Sequence, residues 1–175
     1  MGRLVKRKGF DKVIESLPEV LKIFPDSVYV IAGSGEDDAY LKDMAKKLPK
    51  DAVIFLGSVS EEEKWAWLNA CDAFIMPARN IDGDAEGFGI VYLEANLCGK
   101  PVIAGDSGGV RDAVQHELNG LLVDPENVKE ISDAIMRLWI NKNFRMKLGK
   151  HGRERVLKDF GWSEKVNKIY NLLKE

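Results

Sequence analysis

A doubly wound α/β fold, a Rossmann-like parallel sheet with helices on both faces, is predicted by three features of this 175-residue sequence. Short apolar runs rich in β-branched residues recur at residues 28–33 (VYVIAG), 52–57 (AVIFLG), 73–77 (AFIMP), 101–105 (PVIAG) and 121–123. Between them lie stretches whose apolar residues fall at helical spacing, so strands and helices alternate along the chain. The runs are apolar throughout rather than at every second residue. That is the pattern of strands buried on both faces, and such strands belong to parallel sheets.

The elements follow in order. Residues 1–5 form a short candidate strand ahead of Lys6, Arg7 and Lys8. A central strand usually has more apolar residues than this, so the first strand is expected to be truncated at its front. Phe10, Val13, Ile14, Leu17, Val20, Leu21 and Phe24 then mark a helix, with Pro18 expected to kink or interrupt it. The second run ends in Gly33-Ser34-Gly35, and a helical stretch continues through Leu48. After the run at 52–57, Ser60 and Glu63 have capping-box spacing and open a helix to about Ala70. The strand at 73–77 leads through a polar loop to a helix ending near Leu97, stopped by Gly99. The last third has helical patterns at 128–140, 144–157 and 162–173, extra C-terminal helices that pack on one flank of the sheet. No linker divides the chain, so residues 1–175 are expected to form one domain.

Composition excludes several classes of function. Twenty-six basic residues nearly balance twenty-eight acidic ones, so overall charge gives no reason to expect nucleic acid binding. Cys71 and Cys98 lack C-x-x-C spacing and read as buried thiols in a reducing, cytoplasmic protein. No apolar run reaches the roughly 18 residues of a membrane span, and the first residues lack a signal-peptide core.

In open α/β sheets, ligands bind at the carboxyl ends of the strands. The loops expected there cover residues 3–9, 33–35, 57–60, 78–89 and 105–109, which are rich in glycine and contain Arg3, Lys6, Arg7 and Lys8. Glycine admits backbone amides close to an anion, and a helix N-terminus adds positive polarity, so these loops read as a phosphate-binding rim. Gly87, Phe88 and Gly89 supply such a terminus. They lie between two acids, Glu86 and Glu94. If a helix starts at that Gly-Phe-Gly step, its rise sets the acids roughly 12 Å apart. A carboxylate repels a diphosphate, so acids at both ends suit a ligand whose anionic part lies between them and whose ends carry hydroxyls. Asp82 and Asp84 form D-x-D but supply too few oxygens for a hard cation, and no metal is expected. His116 and His151 lie away from these loops and read as solvated or structural. Trp65, Trp67, Trp139 and Trp162 read as packing residues.

The order of motifs carries a resemblance. GRLVKRKGF (2–10), AGSG (32–35), FLGSV (55–59), EGFGIVYLEA (86–95), GKPVIA (99–104) and SGG (107–109) together resemble the C-terminal, donor-binding domain of retaining GT-B glycosyltransferases, the group 1 or family 4 type. The resemblance covers nearly the whole chain. It implies that a nucleoside diphosphate sugar is the co-substrate, with no other cofactor. Arg3 and Lys8 match the basic pair that neutralises the diphosphate, with Lys6 and Arg7 expected to be solvated, and Glu86 matches the acid that holds the transferred sugar. Glu94 matches the acid that takes the ribose hydroxyls, and Val59 the position that packs on the base. Backbone groups of the loops holding Gly33, Gly35 and Val59 are then expected to read the base edge, and Gly87, Phe88 and Gly89 to hold the phosphate. Asp112 departs from the pattern, where the family often has Glu.

The implied reaction is glycosyl transfer with retention of configuration, from a site completed by an N-terminal acceptor-binding domain. That domain supplies the acceptor contacts, usually a catalytic histidine, and any peripheral membrane contact. This chain is therefore expected to bind donor and transfer nothing alone. Two alternatives are a free-standing nucleotide-binding or regulatory module, and half of a GT-B-fold epimerase or phosphorylase. The latter calls for a cofactor lysine or hydrolytic carboxylate, and neither is evident.

Overall fold

The computed structural model describes residues 1–161 together with Val166 and Tyr170. The helix expected over residues 162–173 lies, those two residues apart, outside the described part. Strands and helices alternate as α1 (Phe10–Ile23), β1 (Tyr29–Ala32), α2 (Asp38–Ala45), β2 (Val53–Gly57), α3 (Glu61–Ala70), β3 (Phe74–Met76), α4 (Ile90–Leu97), β4 (Val102–Gly105), α5 (Val110–Ala113), β5 (Gly120–Val123), α6 (Val128–Ile140) and α7 (Lys142–Asp159). All strand pairs are parallel, with Tyr29 opposite Val53, Phe74 opposite Val102 and Val102 opposite Gly120. The hydrogen-bonded order comes in two blocks, β1–β2 and β3–β4–β5.

Side chains alternate across the larger block as a period of two requires. Phe74, Met76, Val102 and Ala104 pack with Tyr92 and Leu93 of α4 on one face. Ile103, Leu121 and Val123 point the other way, against Val20 of α1 and Ile131, Ile135 and Leu138 of α6. Both faces are thus covered, which is why the runs read as apolar throughout. A third cluster joins Phe10, Val13, Ile14 and Leu17 of α1 to Tyr29 and Ile31 of β1 and Leu41 of α2.

Several expectations shift in detail. Residues 1–5 form no regular strand. They run extended beside β1, with the Gly2 amide donating to Ala32 and the Leu4 amide to Ser34, each at 2.9 Å, and bury Leu4 completely. Pro18 does not interrupt α1, which is continuous past it. The buried stripe of Val13, Ile14, Leu17, Val20 and Leu21 anchors the helix on both sides of the proline and outweighs its missing amide. The capping box at Ser60 and Glu63 is formed, each side chain bonding the other's backbone amide. The short α5 has no counterpart in the sequence pattern. Arg155 of α7 closes it by donating to the carbonyls of Asp112 (2.8 Å) and Ala113 (2.6 Å). Cys71 and Cys98 are free thiols at the ends of α3 and α4, only partly buried, and burial pushes both pKa values up. Among the described residues no helix is long and apolar enough to cross a membrane.

Helix α4 is fixed to the sheet by Tyr92, fully buried, whose hydroxyl donates to the Met76 carbonyl at 2.8 Å. Removing that donor leaves the carbonyl without this partner. Tyr92→Phe is expected to lower the unfolding free energy by about 1 kcal/mol, read from the urea midpoint at unchanged slope.

Candidate functional site

The loops at the carboxyl ends of the strands meet as the doubly wound arrangement requires. Residues 86–89 lie outside α4, which begins at Ile90 with Gly89 as its N-cap in a left-handed conformation. Glu86 is therefore a loop residue and only Glu94 is helical, so the spacing of the two acids is not set by one helix axis. The reason is local: Gly87 and Gly89 leave the chain without side-chain support for helix at that step, and the next loop fixes it elsewhere. The Gly109 amide donates to the Glu86 carbonyl at 2.9 Å. A Cβ on Gly109 would lie 1.9 Å from the Gly87 oxygen, so only glycine permits this contact. The amides of Phe88 and Gly89 have no acceptor among the described residues, while the Phe88 ring packs on Phe160 at 5.9 Å.

Each acid of the pair has a lysine. Lys8 bonds Glu86 directly, and Arg7 reaches the same carboxylate at 3.2 Å and Asp84 at 3.0 Å. The Lys8 and Glu86 side chains are 13% and 12% exposed, so this is a semi-buried cluster. Arg7 was expected to be solvated with Lys6. The 3-10 turn at Lys6–Lys8 instead turns Arg7 and Lys8 toward one carboxylate and leaves Lys6 exposed. On the far side, Lys64 of α3 bonds Glu94 at 2.7 Å and Glu61 at 2.8 Å. Burial works against the Lys64 ammonium, but the hydrogen bonds to Glu61 and Glu94 outweigh it and raise its pKa. Arg3 stands apart from both pairs, exposed on the wall of a polar cleft of about 310 Å³ shared with Lys6, Arg7, Glu36 and Asp84.

The glycines of the AGSG motif have a structural duty. A Cβ at Gly33 would fall 1.8 Å from the Gly2 oxygen, and one at Gly35 2.2 Å from the Leu4 oxygen. They let the first residues of the chain lie flush against this loop. The Ser34 and Ser58 hydroxyls join at 3.1 Å and tie it to the loop carrying Val59, which is half-buried. Asp82 and Gly83 form the positive-φ centre of a tight hairpin closed by paired bonds between Ile81 and Asp84. The D-x-D pair thus shapes a turn, and its second acid is occupied by Arg7. His116 accepts the Leu122 amide through Nδ1 at 3.1 Å. The Asp112 side chain is exposed.

Sequence reasoning missed Lys64, Arg7 and a buried ion pair beneath the site. Arg79, only 2% exposed, donates to Asp11 of α1 at 2.7 Å, and its amide donates to the Arg7 carbonyl at 2.8 Å. The available signals were slight: an arginine just after an apolar run, an acid in the first turn of a helix, and Glu61 and Lys64 three residues apart.

A family model described as glycosyl transferases group 1 matches residues 1–155. The chain belongs to that family. It is 38% identical, over 98% of its length, to a GDP-mannose-dependent monoacylated alpha-(1-6)-phosphatidylinositol monomannoside mannosyltransferase of Corynebacterium glutamicum. It is 37% identical, over 99% of its length, to a GDP-mannose-dependent alpha-(1-6)-phosphatidylinositol monomannoside mannosyltransferase of Mycobacterium tuberculosis. These matches take in 45% and 46% of the two relatives, so the chain spans a little under half of their length. Among solved structures, the C-terminal domain of a glycosyl transferase group 1 family protein from Francisella tularensis superposes with a TM-score of 0.82 at 27% identity, covering 93% of this chain and 84% of that one. The Anabaena HepE protein in complex with UDP-glucose gives a TM-score of 0.85 at 26% identity, covering 99% of this chain and 48% of that one. The α/β architecture expected from the motif order is therefore that of the family's C-terminal domain.

The ion pair under the basic turn gives a direct test. Arg79→Ala leaves the buried Asp11 without its hydrogen-bonded ion-pair partner and is expected to lower the unfolding free energy by about 3–5 kcal/mol, measured by chemical denaturation.

Proposed function

We propose that this chain is the donor-binding half of a retaining glycosyltransferase, taking a nucleoside diphosphate sugar and working with an N-terminal acceptor-binding domain. One observation carries the reading: the Phe88 and Gly89 amides lie in the chain between two semi-buried carboxylates, each paired with a lysine. Amides and cations suit a diphosphate, and carboxylates suit the hydroxyls at either end of the ligand. The names of the mannosyltransferase relatives and the UDP-glucose complex of HepE support the same class of ligand.

The roles follow from charge. Cleaving the bond from anomeric carbon to phosphate develops negative charge on the diphosphate. Lys8, Arg3 and the loop amides stabilise that leaving group in place of a metal. Arg3 acts as a planar fork and Lys8 as a point charge. Glu86 accepts from the transferred sugar and orients it, and Glu94, steadied by Lys64, accepts from the ribose. Gly33, Gly35 and Val59 form the wall toward the base, where the glycines admit the close backbone packing that shapes it. Gly87, Phe88 and Gly89 form the phosphate loop. The glycosidase arrangement of nucleophile and acid is not part of this scheme. The acceptor and its contacts belong to the other domain.

Calorimetric titration with GDP, UDP and ADP is expected to show binding of at least one, unchanged by a chelator. Arg3→Ala and Lys8→Ala each weaken it by more than about 1 kcal/mol, about fivefold. Unchanged affinity in both variants would remove the basic pair from the site. Sugar transfer by the purified chain alone would overturn the division of labour between domains.

A further inference from the structure

Helix α7 is charged unlike the rest of the chain. It contains seven lysines and arginines against two acids, in a chain whose formal net charge is -2. Two of the seven turn inward. Arg145 pairs with Asp72 at 3.2 Å and lies over the Trp139 ring, and Arg155 donates to the carbonyls that end α5. Lys142, Lys147, Lys150, Arg153 and Lys158 are exposed. Among the described residues the one ion pair these five make is that of Lys150 with Glu154, at 3.8 Å. That separation is too long for a hydrogen bond.

The seat of the helix is rigid. A Cβ on Gly149 would fall 2.0 Å from the Gly99 oxygen, and one on Gly152 2.6 Å from the Asn96 side chain, so α7 lies close against the C-terminal end of α4. With its inner face held there, its outer face has one orientation. At about 100° per residue, Lys142, Met146, Lys150, Arg153 and Leu157 fall within an arc of about 80° along roughly 23 Å of axis, and Lys147 and Lys158 flank them. Met146 and Leu157 are 61% and 63% exposed. The stripe thus carries cations and large apolar residues in one line. A nucleic acid backbone engages only the cations of such a stripe, and water leaves the apolar members uncovered. A bilayer surface with anionic head groups engages both, the cations at the phosphates and the apolar side chains at the boundary with the acyl region.

We propose that the outer face of α7 is a docking surface for a negatively charged membrane, on which the domain rests with this helix parallel to the bilayer. The lysine stems lie along the apolar residues while their ammonium groups stay at the level of the head groups. Helix α7 ends at Phe160, whose ring packs on Phe88, so the docked face borders the candidate donor site. None of the docking residues is assigned to donor binding, and the two readings are tested separately.

The test is flotation of this chain with vesicles of phosphatidylcholine alone and with about one-third phosphatidylglycerol, the thermal midpoint being checked for every variant. Binding is expected to the anionic vesicles only, and to fall as salt rises to about 1 M, where the screening length is about 3 Å. Lys147→Gln, Lys150→Gln and Arg153→Gln combined are expected to weaken it at least about tenfold, since each basic residue contributes about fivefold at an anionic surface. Lys22→Gln, Lys46→Gln and Lys50→Gln combined change the net charge equally at exposed lysines elsewhere and are expected to weaken it less than about twofold. Met146→Ser with Leu157→Ser is expected to weaken it at least about threefold. Absence of binding to the anionic vesicles would overturn the proposal, and so would equal losses in the two lysine sets, which would trace binding to net charge. Duplex DNA binding that is lost in the α7 set and unchanged in the Met146 and Leu157 variant would assign the face to nucleic acid and overturn it as well.

Discussion

The buried contact between Asp11 and Arg79 is the constraint on which the site's geometry rests. The two residues are 68 positions apart, one in the first turn of α1 and the other just past β3. Their pairing fixes how the first helix meets the sheet. The same arginine's amide holds the Arg7 carbonyl, so the basic turn is attached to the end of β3. From there Arg7 and Lys8 both reach Glu86, and Arg7 reaches Asp84 as well. The pair itself is not fully satisfied. One Asp11 oxygen and the Arg79 Nη1 have no hydrogen-bond partner among the described residues, and Glu126 approaches Nε at 3.3 Å without hydrogen-bond alignment. A buried ion pair of this kind adds little net stability over an apolar contact of the same size. Its effect is on register: a charge that is costly to leave unpaired permits only the packing in which both partners meet.

Above that foundation the site is made mostly of backbone. Gly109 against Gly87, Gly33 against Gly2, and Gly35 against Leu4 are main-chain contacts closer than any side chain allows. Loops packed this tightly cannot shift independently, so the Phe88 and Gly89 amides are held by their neighbours rather than by partners of their own. Amides fixed in this way need no reorganisation when an anion arrives, which is the basis of electrostatic preorganisation. Position is thus inherited from the sheet through contacts that any Cβ would break.

This division explains what was legible in the sequence. Strands at 28–33, 52–57, 73–77 and 101–105 and the cap at Ser60 were readable because each depends on a local pattern, burial on both faces or a side chain meeting its own helix terminus. The start of α4 was misplaced because the glycines of Gly-Phe-Gly fix no conformation of their own, and the step is held as a loop by a contact from Gly109. Pro18 was overweighted because its cost is local while the buried face that offsets it is tertiary. The packing of the chain's first residues against the AGSG glycines was not legible, because it is a tertiary contact that the local Gly-Ser-Gly pattern does not announce. Arg7, Lys64 and Arg79 act through partners between 30 and 79 residues away, a distance over which no periodicity carries information.

The pairing of each site carboxylate with a lysine bears on how such a site exchanges its ligand. Lys8 has three donor positions and Glu86 two acceptor oxygens, so one contact between them leaves both able to bond further groups. On the proposed function, a diphosphate meeting Lys8 would share it with Glu86, and a sugar hydroxyl meeting Glu86 would share it with Lys8 and Arg7. Without these internal pairs, a semi-buried carboxylate and a semi-buried ammonium would each have to be desolvated when the ligand docks. With them, much of that cost is met during folding, and binding replaces part of an existing network. The arrangement favours a ligand that carries both anionic oxygens and hydroxyls over one that carries either alone, because only the first satisfies both members of each pair.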